Sequence, residues 1–129
     1  MRKIMFFLIL TIGASFAYDA CDNEKVKQFL IDSNSLFQEQ KAYSAFWCTN
    51  DTMLSATVLE KLNISEKEAF DLKRNGTLDK VSAQSICPLL DDFQNLGLKR
   101  KSNYIYFFNS NKPFHTVVVD DSFCKKYGY

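Results

Sequence analysis

His115 is the only histidine in the chain, and imidazole is the side chain best suited to proton transfer near neutral pH. A general base of this kind needs a nucleophile to act on and a third group to orient it. No Gly-x-Ser-x-Gly elbow supplies the nucleophile. A small secreted hydrolase pairing His115 with a carboxylate is therefore the alternative reading, not the leading one. Acidic pairs stand at Asp91-Asp92 and Asp120-Asp121. Glycoside hydrolysis places two carboxylates across a cleft, whereas adjacent helical residues point about 100° apart. Asp91-Asp92 fits a solvated helix face better, and Asp120-Asp121 the end of a strand. Lys99-Arg100-Lys101, close to Tyr104 and Tyr106, has the basic-plus-aromatic composition that binds single-stranded nucleic acid. Three charges in a nearly neutral chain are too few for that, and a loop that blunts a strand edge explains them. No nucleic-acid partner is expected.

The remaining chemistry-bearing residues are Cys21, Cys48, Cys87 and Cys124. They are widely spaced and contain no Cys-x-x-Cys pair, so neither a zinc site nor a thioredoxin-type redox centre is expected. The sequence implies no cofactor and no metal. Four cysteines behind an export signal point to two disulfides. Three pairings are possible and the sequence does not decide among them. The usual proximity of chain termini favours Cys21 with Cys124 and Cys48 with Cys87.

The export signal occupies residues 1–17. Arg2 and Lys3 precede an apolar run, and small residues follow up to Ala17, the layout of a secretory leader cut after Ala17. The run is shorter than the roughly 20 residues needed to cross a bilayer. Tyr18 and Asp19 before Cys21 do not suit a lipoprotein signal. Residues 18–129 then form one small domain, periplasmic or secreted, with no stable membrane insertion after cleavage. The chain has 16 basic and 15 acidic residues. Removing Arg2 and Lys3 tips the balance to one negative charge, too little to steer the domain to nucleic acid or an anionic membrane.

Hydrophobic spacing sets the elements that must position these residues. Val26, Phe29, Leu30, Ser33 and Phe37 predict a helix over residues 23–38 behind the cap Asp22. Residues 42–48 fit a helical turn or a short strand, with Trp47 a core residue beside Cys48. Leu54, Val58 and Leu62, four apart, predict a second helix from Asn50-Asp51 to about Asn63. Ser65 and Glu68 form a capping box for a third helix that ends at Asn75-Gly76. Thr77 opens a fourth, with Leu78, Val81, Ser85, Leu89 and Phe93 on one face, closed by Gly97. Pro88 either kinks it or splits it. Residues 104–108 and 114–119 then read as two strands of a β-hairpin, and a tail carries Cys124. The fold class is α+β: about four N-terminal helices packed with a C-terminal antiparallel β-hairpin, stapled by two disulfides. A lone hairpin is marginal, and residues 42–48 are the candidate third strand.

Three triplets fit the N-glycosylation pattern, at Asn50, Asn63 and Asn75. They matter only in a eukaryotic secretory route, and two coincide with helix caps. The most suggestive feature is the hairpin. Tyr104, Tyr106 and Phe108 face one way, Ile105 and Phe107 the other, so both faces are apolar. Helices cover both, or one face is a contact surface of the aromatic kind enriched at interfaces. The expected function is an exported, non-enzymatic domain that binds another protein through Tyr104, Tyr106 and Phe108. An inhibitor or immunity-type protein, or a small accessory subunit of an envelope machine, fits that description. An exported small-molecule binder with Trp47 in the pocket is the further alternative.

Overall fold

The protein is described by a computed structural model covering residues 19–39, 44–109 and 112–129, with the backbone alone at Phe37 and Glu39. The expected leader and its cut after Ala17 lie outside the described residues, as do residues 42 and 43 of the candidate third strand.

A 3-10 turn at Ala20–Asp22 leads into α1, Glu24–Glu39. Asn23, not Asp22, closes the start, its side chain accepting from the Lys25 amide. Val26 is fully buried on the inner face, and Phe29 and Leu30 pack against the same core. The next two elements are strands, β1 (Ser44–Thr49) and β2 (Thr52–Val58), which pair antiparallel. The helix expected from Asn50 to Asn63 is thus corrected to the second arm of a hairpin. Asn50 and Asp51 both have positive φ, 51° and 59°, which is the two-residue turn whose twist suits antiparallel strands. The spacing of Leu54, Val58 and Leu62 misleads because Leu54 and Val58 point outward on β2, while Ser55 and Thr57 join Met53 on the inner side.

From β2 the chain crosses over through α2 (Glu66–Arg74), α3 (Thr77–Ile86), a 3-10 turn at Cys87–Leu89 and α4 (Leu90–Asn95). Ser65 and Glu68 make both bonds of the capping box on α2. Pro88 sits in the 3-10 turn and splits the predicted fourth helix into α3 and α4. The crossover returns as β3, Ser102–Phe107, parallel to β2, and β4, Pro113–Val119, closes the predicted hairpin. A register shift between Tyr106 and Phe107 leaves Phe114 without a strand partner, and it packs instead on Phe70 of α2. A short α5, Asp121–Lys126, capped by Asp120, ends the fold. The architecture is α+β with a four-stranded mixed sheet in the order β1-β2-β3-β4.

The disulfides are Cys21–Cys48 and Cys87–Cys124. Two bridges were expected, but the favoured pairing of Cys21 with Cys124 is corrected. Cys21 bonds into β1, whereas Cys124 follows β4 on the opposite edge of the sheet. Three interstrand gaps separate those edges, about 14 Å, and bridged Cα atoms lie at most about 7 Å apart. Edge strand β1 is closed on its free side by Asn34 of α1, which donates to the Phe46 carbonyl and accepts from the Phe46 amide. The outward backbone groups of Phe46 are thereby satisfied without another strand.

Candidate functional site

The strand register sorts the side chains into two faces. Phe46, Ser55, Tyr104 and Val117 form one row across the sheet, each opposite the next, on the face that meets the helices. Phe29 of α1 packs on Phe46 and edge-on against Phe93 of α4. Ser82 of α3 reaches Tyr106 at 2.9 Å. Tyr104 and Tyr106 are 7% and 2% exposed and stack at 4.6 Å between ring centres. The expectation that these tyrosines present themselves to a partner meets a physical obstacle: they lie beneath the helices. Phe108 is partly buried against the same core.

This inner face explains the unusual composition of β2. The Tyr104 hydroxyl lies 2.8 Å from Thr57 Oγ1, which lies 2.8 Å from Ser44 Oγ. The Tyr106 hydroxyl donates to the Leu78 carbonyl and also meets Ser82, which donates to that same carbonyl. A buried phenol needs a partner: Thr57 supplies it for Tyr104, and Leu78 and Ser82 of α3 supply it for Tyr106, while Ser55 and Ser102 face each other. Burial is the main reason that the Tyr106 phenol is raised well above the ordinary tyrosine range. Two cavities of about 280 Å³ each lie between this face and α3, sharing Ser44 and Tyr104. Each is slightly below the usual range for a drug-sized ligand, roughly 300–1,000 Å³. Trp47 lines neither of them, so the pocket expected around that residue is not formed there.

His115 also lies on the inner face, at the β4 edge. Its Nε2 is 2.7 Å from Asp79 Oδ1 in the first turn of α3, and its ring is stacked near Tyr106. The carboxylate half of a general-base arrangement is therefore present. Among the described residues, no serine, threonine or cysteine hydrogen-bonds to His115, and the pair lies outside both cavities. As it stands, the contact ties β4 to α3.

The basic run is divided in the same structural way. Arg100 forks between Asp121 of α5 and Asp91 of α4, with Gln94 as a further acceptor. Hydrogen bonding to Asp121, then Asp91, raises the guanidinium pKa further, and Arg100 in turn lowers that of Asp121. Asp91 and Asp121, singled out as acidic pairs, thus meet at one cation. At the start of the domain, Asp19 accepts from the amides of Cys21, Asn50 and Asp51. The Cys21 and Asp51 amides are the leading reasons that its pKa lies below the normal carboxylate value. A carboxylate depressed in the folded state stabilises above its unfolded pKa, and that contribution disappears as pH falls through the folded value. Thermal melts should therefore show a fall in Tm below about pH 4. The fall should be shallower in Asp19→Asn; an unchanged acid slope would remove Asp19 from the account.

The opposite face is built differently. Ala45 and Trp47 of β1, Leu54 and Ala56 of β2, Ile105 of β3 and Val118 of β4 lie on it by register. Every strand position on this side is uncharged. Val118 is 50% exposed and Trp47 37%. None of these six residues belongs to the packed core or its lining, and the helix–sheet side-chain contacts described above fall on the inner face. No protein-family model matches the chain, no curated protein matches it, and no solved structure matches its fold. The candidate surface rests on its own chemistry. The outward Ile105 and Phe107 were visible in the hairpin pattern. Trp47, Leu54 and Ala56 are not legible as part of that surface, because the spacing over β2 predicts a helix and the neighbourhood of Cys48 predicts a core position for Trp47, which is instead exposed.

Among the described residues no helix is long and apolar enough to cross a membrane. The two disulfides fit a protein that folds in an oxidising compartment.

Proposed function

We propose that this is an exported, non-enzymatic domain that acts by binding another protein, and that the contact is made by the uncharged sheet face. The observation carrying this is the outer sheet face: every strand position on it is uncharged, and beside the exposed Trp47 and Val118 lie the partly exposed Leu54 and Ile105. Exposed apolar and aromatic side chains gathered on one uncharged face of a small domain mark an interaction site. The partner this face suits presents an uncharged patch of aliphatic and aromatic side chains, since a buried unpaired charge would be costly. The proposed role is inhibition or accessory assembly outside the cytosol, without turnover.

The test immobilises the oxidised domain and compares the native protein with Val118→Glu and with Lys80→Glu on the exposed helix layer. The native and Lys80→Glu proteins should retain one stoichiometric partner. Val118→Glu should lose at least about tenfold in affinity, the scale of an interface hot spot, while its Tm stays near that of the native protein. A partner held equally by all three proteins would place the contact elsewhere. A native domain that sediments as a dimer, and Val118→Glu as a monomer, would identify a second copy as the occupant and overturn the proposal of a different partner.

A further inference from the structure

From the three acceptor triplets we infer a modification pattern: Asn50, Asn63 and Asn75 are N-glycosylation sites of a eukaryotic secretory protein, and all three leave the uncharged sheet face uncovered. The inference rests on the export reading and extends it.

A triplet alone is weak, because Asn, Ser and Thr recur at turns for local reasons. Asn50 and Asn63 do occupy left-handed conformations, with φ of 51° and 61°, and Ser65 is the cap of α2. The stronger observation concerns the atom that would react. The glycosidic bond forms at Nδ2, so that nitrogen must be accessible and free of structural duty. All three asparagines are exposed. Among the described residues no hydrogen bond engages Nδ2 of any of them. At Asn75 the carboxamide is held by its oxygen alone, which accepts from the Thr77 amide and the Thr77 hydroxyl at 2.9 and 2.6 Å. Asn34 shows the contrast: its Nδ2 donates to the Phe46 carbonyl at 3.0 Å, and no acceptor triplet begins there. A sugar on Asn34 would undo the closure of β1 at Phe46, while sugars on the three acceptors displace no hydrogen bond of Nδ2 among the described residues.

The reaction is a group transfer from a polyprenyl-diphosphate oligosaccharide. Nδ2 bonds to the anomeric carbon as that carbon's bond to the diphosphate oxygen breaks. The lipid diphosphate leaves, the amide gives up one proton, and nothing is oxidised or reduced.

The positions are as informative as the count. Asn50 lies in the β1–β2 turn at one end of the sheet. Asn63 follows the 3-10 turn beyond the other end of β2, and Asn75 lies between α2 and α3 in the helix layer. None is on the face that carries Trp47 and Val118. Glycans at these points would stand at both ends of β2 and at the α2–α3 junction, away from the face that carries Trp47 and Val118.

The full chain is expressed in yeast or animal cells. The N-terminus of the medium protein is sequenced, and its mobility compared before and after peptide-N-glycosidase treatment. Secreted native protein should carry three glycans, and Asn50→Gln, Asn63→Gln and Asn75→Gln should each remove one. Thr77→Ala should remove the Asn75 glycan with Asn75 intact, and Thr77→Ser should restore it. Secretion with cleavage near Ala17 but no mobility shift would overturn the glycosylation inference and leave export standing. Retention inside the cell with an uncut N-terminus would overturn both.

Discussion

Replacing Cys87 and Cys124 together with alanine is expected to cost about 4 kcal/mol, the chain-entropy value for releasing a loop of roughly this size. Domains of this kind are stable by about 5–15 kcal/mol in total, so the loss is a large fraction. Locally the bridge joins the 3-10 turn between α3 and α4 to the buried Cys124 of α5. Helix α5 has only six residues and would not persist in isolation. Without the bridge it keeps the Asp120 cap, the Arg100–Asp121 pair and the Phe123 packing. Exposed ion pairs contribute little, so those contacts do not replace the covalent tie. Urea denaturation of the oxidised native and doubly substituted proteins reads the effect directly. A change below about 1 kcal/mol would show that the bridge follows the fold without supporting it.

Tyr106→Ala is expected to cost about 3–5 kcal/mol, the range for truncating a large buried aromatic. The side chain is 2% exposed, stacks on Tyr104 and bonds to the Leu78 carbonyl and Ser82. Tyr106→Phe separates the two contributions. It keeps the ring, and Ser82 retains the Leu78 carbonyl as acceptor, so the loss should fall to about 1 kcal/mol. If Tyr106→Ala melted like the native protein while partner binding fell, the tyrosine would belong to an interface and not the core. The comparison therefore decides which side of the sheet meets a partner.

Much of the helical part was legible in the sequence because each end carried a local chemical signal. The Ser65–Glu68 box, Asn75-Gly76 and Pro88 act within a few residues and fold as they read. The β3–β4 hairpin was legible from its strand formers. β2 was not, because periodicity assumes that the covered side is the apolar one. Here Ser55 and Thr57 point inward beside Met53, with Thr57 serving the buried Tyr104 phenol, and Leu54, Ala56 and Val58 point outward. That reversal depends on Tyr104, nearly fifty positions away, and no local window contains it. The same misreading hides the contact candidate, since residues 42–48 suggest a third strand but nothing local supplies β2, which joins it to the β3–β4 hairpin. The parallel pairing of β2 with β3 was hidden likewise, arising from a crossover of three helices.

The two bridges follow one another along the chain without interlacing. The first, Cys21–Cys48, lies wholly before Cys87, the first cysteine of the second. A chain emerging N-terminus first thus presents its two oxidation steps in order. Helix α1, β1 and their covalent clasp can be completed while the residues of β3 and β4 are still to come. During that interval only Cys21 and Cys48 are available to each other, so mispairing has no substrate until the correct bond has had time to form. Adjacent pairing makes the order of synthesis itself a source of fidelity.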